Sequence, residues 1–307
     1  GFFMNANAVD ISNEIKKIRE KLKVVILAHN YQIDEIQSLA DITGDSLELA
    51  RAALKTEAEI ILFCGVHFMA ETAAILNPDK TVLMPNPNAG CPMADMITAE
   101  QLIELKQKHP KAAVVCYVNS SAAVKAESDI CCTSSNAVQV VNSLSEEEVI
   151  FIPDRNLGRY VSGFTNKKII LWDGFCPTHV RLPVKDVLEI KNAHPEASFF
   201  AHPECEPEVL AIADYVCSTA KMLKYAREVA TREIIIGTEM GMLYRLRNEN
   251  PGKVFIPASR SMICPNMKKN NLELVYESLV NFQTEITVPE KTGKRALNSI
   301  RRMLEIS

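Results

Sequence analysis

The chain has 307 residues, 47% of them hydrophobic and 23% charged, with a formal net charge of −4 at pH 7. Such a chain buries a substantial core. Its charge excludes a basic face that tracks nucleic acid, leaving Lys268-Lys269 and Arg301-Arg302 as solvated helix faces. No apolar run is long enough to cross a bilayer and the start lacks a signal-peptide pattern, so a cytoplasmic protein binding neither membrane nor nucleic acid is expected.

Gly1-Phe2-Phe3 ahead of Met4 is set aside as a remnant of expression. In chain order, KVVILAHN (23–30) then reads as a strand after an amphipathic helix. ADITGDSLELA (40–50) places an Asp and a short apolar piece before a helix opened by a hydroxyl residue. EIILFCG (59–65) is a buried strand leading into another helix, and KTVLMPNPNAGCP (80–92) is a strand, a loop and Cys-Pro. The same four signatures return as AAVVCYVN (112–119), SDICCTSSNAVQV (128–140), EEVIFIP (147–153) and KKIILWDGFCP (167–177). They return again as ASFFAHPE (197–204), ADYVCSTAKMLKY (213–225), REIIIGT (232–238) and KVFIPASRSMICP (253–265).

The register is regular. Ser46, Ser134 and Thr219 each stand five residues past the shared Asp, at intervals of 88 and 85; Cys91, Cys176 and Cys264 recur at 85 and 88. Four motifs in one order at one period identify an internal triplication. Helices stop at His109-Pro110 and His194-Pro195, because proline cannot continue them. The expected fold is therefore α/β: three homologous three-layer α/β/α modules with parallel sheets around a pseudo-threefold axis, the active site at the centre. The modules are 12–98 with 270–307, then 99–182, then 183–269; the helical stretches within 270–307 are expected to return to the first.

Functional groups of open parallel sheets gather outside the carboxyl ends of the strands. His29, Asn119 and His202 fall there, as do the hydroxyls and the three Cys-Pro cysteines. Nine cysteines, an odd number in a chain too large to need disulfide staples, suit a reducing compartment. Cys64, Cys116, Cys131, Cys132, Cys205 and Cys217 read as small core residues. Cys91, Cys176 and Cys264 read as ligands of one metal centre. Structural zinc favours close Cys-x-x-Cys pairs and a fourth ligand; three widely spaced thiolates suit an iron–sulfur cluster with one open iron better. Ser46, Ser134 and Thr219 are expected as helix N-caps whose helix starts also face an anion. His29, His179 and His202 are expected at the site, with Glu204 a candidate base; His109 and His194 are helix-end residues, and His67 a surface or packing residue.

The ordered set AHNYQ (28–32), GDSLELA (44–50), GVHFMAE (65–71), CPMA (91–94), CYVNSSA (116–122), TSSNAV (133–138), PDRNLG (153–158), HPEC (202–205), GTEMG (237–241) and CPNMKKN (264–270) resembles the quinolinate synthase family. The resemblance runs from about residue 12 to 305. It implies a transferase of de novo NAD biosynthesis that condenses iminoaspartate with dihydroxyacetone phosphate to quinolinate, phosphate and water. It implies a [4Fe–4S] cluster on Cys91, Cys176 and Cys264, its open iron a Lewis acid, and functional coupling to an enzyme that produces iminoaspartate. By motif it implies Tyr31, His202 and Glu204 as catalytic. It implies His29, Ser46, Tyr117, Asn119, Ser134, His179 and Thr219, with His202 and Glu204, as substrate contacts. Some members carry Cys-x-x-Cys around the third ligand, linked to redox control; Cys264 stands alone here, so no such switch is expected.

Two rival readings share the three cysteines. One is another [4Fe–4S] hydro-lyase, separated by its substrates. The other is a non-catalytic three-module binding protein holding structural zinc, separated by colour and metal content.

Overall fold

The computed structural model describes residues 6–306, so Gly1-Phe2-Phe3 lie outside the described residues. Among those residues, twelve strands form three four-stranded, all-parallel sheets. The first sheet comprises β1 (Val24–His29), β2 (Ile42–Gly44), β3 (Ile60–Cys64) and β4 (Thr81–Leu83). The second comprises β5 (Ala113–Tyr117), β6 (Ile130–Cys132), β7 (Glu148–Ile152) and β8 (Lys168–Leu171). The third comprises β9 (Ser198–Ala201), β10 (Tyr215–Val216), β11 (Glu233–Gly237) and β12 (Val254–Pro257). Each has the same order: β2-β1-β3-β4, β6-β5-β7-β8 and β10-β9-β11-β12. The triplicated α/β reading is therefore borne out in the sheets. Helices lie between successive strands, and the central strands are buried along nearly their whole length, as parallel sheets covered on both faces require.

The Asp shared by the three modules has a structural task. The Oδ2 of Asp41, Asp129 and Asp214 accepts the backbone N–H of Ile26, Val114 and Phe199 at 2.8, 2.7 and 2.7 Å. Each Asp N–H donates back to the carbonyl of the same residue. This two-way clasp pins the start of each edge strand to the first strand and satisfies backbone groups that the short edge leaves over. The paired helix ends also hold: His109 and His194 are the C-caps of helices Ala99–Lys108 and Val184–Ala193, with almost the same backbone angles.

The chain divides into two compact units. One runs to Cys91 and includes Pro265–Gly293; the other is Pro92–Cys264 with Lys294–Ser307. The first unit holds the first sheet. Its core packs Ile15, Val24, Ile26, Leu62 and Leu83 with Leu272, Val275 and Leu279 of helix Leu272–Asn281. The second unit holds the other two sheets, and the core of the third gathers Phe199, Ala201, Val209, Ile235 and Met262.

The segment 270–307, expected to return whole to the first module, divides instead. Helix Leu272–Asn281 does return, and a bridge follows from Leu83 to Glu285. The last helix, Glu290–Glu305, buries Ala296, Ser299, Ile300 and Met303. Ser299 Oγ donates to Lys125 O at 2.9 Å, Arg302 to Asp129 O at 2.7 Å, and Arg295 pairs with Glu127 at 2.7 Å. Those partners all belong to the second module, which is the physical reason the helix lies there.

Candidate active site

In each sheet the chain leaves the two central strands in opposite directions, so their carboxyl ends border an open crevice. In the third sheet His202 and Glu204 follow β9, and Thr238 and Glu239 follow β11. All four are at least 95% buried, so their polar atoms need partners within the protein.

The partners form one network. Glu204 Oε1 accepts the Tyr117 hydroxyl at 2.5 Å, joining the end of β5 to the third module. Glu204 Oε2 lies 2.8 Å from His179 Nδ1, which is also 3.1 Å from Cys176 Sγ. His179 Nε2 lies 2.8 Å from Thr238 Oγ1, and the His179 and His202 rings stack with centroids 4.7 Å apart. The arrangement is satisfied when His179 carries its proton on Nδ1 and accepts the Thr238 hydroxyl at Nε2.

His202 has the opposite tautomer. The Glu204 N–H donates to His202 Nδ1 at 3.2 Å, so the ring proton sits on Nε2. Tyr31 N–H donates to His29 Nδ1 at 3.1 Å, the same turn repeated in the first unit. Both histidines thus carry the ring N–H on the side away from their own turn.

The charges are sorted by environment. Burial pushes His202 down to about 3, with His179 adding to that and Glu204 opposing it, so the ring is neutral at pH 7. Its 3.8 Å approach to Glu204 is accordingly not an ion pair. Burial alone would raise the Glu204 carboxyl, but the adjacent His179 and the hydrogen bonds from His179 and Tyr117 hold it well below the usual carboxylate range. Asp154 is the reverse case: burial and the nearby Glu204 charge push it well up, and among the described residues its Oδ2 has no hydrogen-bond partner.

The second unit therefore brings together Tyr117, Cys176, His179, His202 and Glu204, and Asn119 lies half-buried two residues past Tyr117. His29, Tyr31, Ser46 and Cys91 belong to the first unit. There the His29 and Tyr31 rings meet edge-on at 4.6 Å, and Lys268 Nζ donates to Tyr31 O. Cys264 donates its N–H to Glu239 Oε1 at 3.1 Å.

The expected N-caps need correction. Asp45 caps helix Ser46–Lys55 through a reciprocal box with Glu48, and Ser218 caps helix Thr219–Glu228, so Ser46 and Thr219 are first-turn residues. The Asp45 carboxylate accepts Glu48 N–H and the Glu48 carboxylate accepts Asp45 N–H, so the pair satisfies two backbone donors, which explains why Asp45 takes the place. In the second module the helix starts only at Ala137 behind Asn136, and Ser134 sits in the preceding turn. Ser135 Oγ instead meets Ser218 Oγ at 3.0 Å. His67 opens helix His67–Leu76 with its side chain 45% exposed.

Thr238, Glu239 and Asp154, within GTEMG and PDRNLG, are not among the residues expected from the sequence. Their place just after a central strand of the repeat was the available signal. The donor atoms of Cys176, His179 and Glu204 lie within 4.8 Å of one another and could hold a metal ion. Of the nine cysteines, Cys91, Cys176 and Cys264 are partly exposed and the other six are buried. Burial pushes the Cys64 and Cys217 thiols up to about 12 and raises those of Cys131, Cys132 and Cys205, which suits inert core residues.

The family model described as Quinolinate synthetase A protein matches residues 13–305. Among curated relatives, the chain is similar to a quinolinate synthase of Geotalea uraniireducens, 57% identical over 97% of this chain and 98% of that protein. It is similar to one of Dehalococcoides mccartyi, 55% identical over 97% and 98% respectively. A third, from Methanoregula boonei, is 55% identical over 96% of this chain and 98% of its own length.

Proposed function

Since the chain belongs to the quinolinate synthase family, we propose that it condenses iminoaspartate with dihydroxyacetone phosphate to give quinolinate, phosphate and water in de novo NAD biosynthesis. The observation that carries this is the match across nearly the whole chain. Quinolinate formation from the two substrates tests it, and absence of product from anaerobically prepared protein overturns it.

Cys91, Cys176 and Cys264 are proposed as the three protein ligands of a [4Fe–4S] cluster. The donor set supports this: these are the partly exposed thiols, each precedes a proline, and each follows the last strand of its module. When bound, the cluster supplies a Lewis-acidic iron with an open coordination position. Protein purified without oxygen is expected to be brown, with about four irons per chain as that cluster type requires. A colourless protein with one zinc per chain overturns this reading.

The chain's own residues supply binding and proton movement. Substrate carboxylates and phosphate need donors, and His29 and His202 offer Nε2–H, with Ser46, Asn119, Ser134 and Thr219 as further contacts. Glu204 is ionised and holds the Tyr117 hydroxyl and the His179 N–H in fixed directions. Glu204 is proposed to serve the acid–base chemistry by holding these two donors where they can give protons as the condensation and dehydrations proceed, and Tyr31 is proposed as a further proton-moving group. We place the activity in the cytoplasm, where cysteines stay reduced. Among the described residues no helix is long and apolar enough to cross a membrane. Imines hydrolyse in water, so functional coupling to an enzyme that produces iminoaspartate would shorten the exposure of the substrate.

A further inference from the structure

The loops that carry the three Cys-Pro cysteines are fastened by one device used three times. The backbone N–H of His67, Arg155 and Met240, each just past the third strand of its module, donates to Ala89 O, Gly174 O and Met262 O at 2.8, 2.8 and 2.9 Å. Each accepting carbonyl lies two residues before the cysteine. The first loop has additional fasteners, from Asn86 Nδ2 to Lys269 O at 3.3 Å and from Lys269 Nζ to Asn88 O at 2.9 Å. The second loop is short, running from the end of β8 at Leu171 to Cys176.

The third loop, from Pro257 to Cys264, is longer and carries an exposed stretch around Arg260 and Ser261. It is held from inside by an acid. Glu239 is fully buried; its Oε1 accepts the N–H of Cys264 itself at 3.1 Å and its Oε2 accepts Gly241 N–H at 2.6 Å. The neighbouring residues serve the rest of the site. Gly237 O accepts His202 N–H at 3.0 Å, and Thr238 Oγ1 meets His179 Nε2 at 2.8 Å. One turn after β11 thus sets the directions of His202, His179 and Cys264 together.

We propose that Glu239 is a positioning residue for Cys264, holding that cysteine's backbone so that its thiol points where a metal centre can use it. The proposal rests on the reading of Cys264 as a cluster ligand. Two backbone donors converge on two oxygens, and a carboxylate can accept both. An amide offers one oxygen and one NH2, so Glu239→Gln must set a donor against a donor at Cys264 or at Gly241. Groups that orient a ligand in this way typically change metal affinity about 10–100-fold when altered.

The test uses the full chain, reconstituted without oxygen, as wild type, Glu239→Gln, Glu239→Ala and Cys264→Ser. Iron per chain, the rate of iron release to a chelator and the electron paramagnetic resonance spectrum are read on each. Both Glu239 variants are expected to release iron roughly 10–100-fold faster, with an altered spectrum. A general structural role would instead lower the thermal midpoint of the metal-free protein and leave release from the folded protein unchanged. Wild-type release and spectrum in both, with iron lost from Cys264→Ser, overturn the proposal and leave the ligand reading standing. Full iron in Cys264→Ser overturns the ligand reading itself. Should both Glu239 variants fail to fold, hydrogen exchange on the metal-free wild-type chain decides. The Cys264 amide is expected to be strongly protected, and exchange as fast as that of an unprotected amide in the same loop overturns the proposal.

Discussion

Glu204 shows how one side chain can serve as both a charge and a scaffold. Its two oxygens each accept a different donor, Tyr117 and His179, from the second module. Glu204→Gln keeps the volume but can accept only one of them with its single oxygen. That variant is expected to keep wild-type iron while turnover falls by about 10²–10⁴-fold, the usual range for a lost proton-transfer group. Iron analysis beside a quinolinate assay checks this, and wild-type rates would remove Glu204 from the chemistry. His202 gives a second expectation. Its ring sits at about 3 in the folded protein against an ordinary value near 6.5, so between those values the unfolded chain binds a proton that the folded chain does not. Stability is therefore expected to fall as pH drops from about 6.5 toward 3, and Glu204, also held low, acts in the same direction below its ordinary range. Urea unfolding of the metal-free protein at pH 7 and pH 5 reads this. His202→Asn, which does not titrate, should show a smaller loss.

At the scale of elements, local chemistry explains why the repeat is so readable. Asp41, Asp129 and Asp214 stand in register because each closes the same clasp fifteen residues back. Asp129→Ala leaves the Val114 N–H without its acceptor and is expected to destabilise by about 1–3 kcal/mol, seen as a lower urea midpoint for the second unit. An unchanged midpoint would mean that the backbone half of the clasp suffices. Strands and helix ends were legible because they follow from apolar period and proline. The caps were displaced by one residue, since Asp45 and Ser218 compete with Ser46 and Thr219 for the same backbone donors and spacing alone does not rank them. In the second module Asn136 binds Thr133 N–H across its turn, which delays the helix to Ala137. No periodicity announces such a local loop bond.

At the scale of the molecule, triplication supplies three like modules, while packing resolves the chain into two units. The chain passes between the units at Cys91-Pro92, Cys264-Pro265 and Gly293-Lys294, the first two of which are Cys-Pro dipeptides. Cys91→Ser, Cys176→Ser and Cys264→Ser are each expected to abolish the brown colour and the bound iron. A single variant that keeps full colour and activity would remove that cysteine from the ligand set. The sequence alone determined the number of modules, their alternation of strand and helix, the core role of six cysteines and the family resemblance. All of these depend on residue order and short-range period. Only the tertiary structure decided which groups the rings of His29, His179 and His202 meet, that Thr238 and Glu239 bond to His179 and Cys264, and that the final helix lies on the second module. Those outcomes depend on hydrogen bonds between residues far apart in the chain, such as His179 with Thr238 and Ser299 with Lys125, and residue spacing carries no record of them.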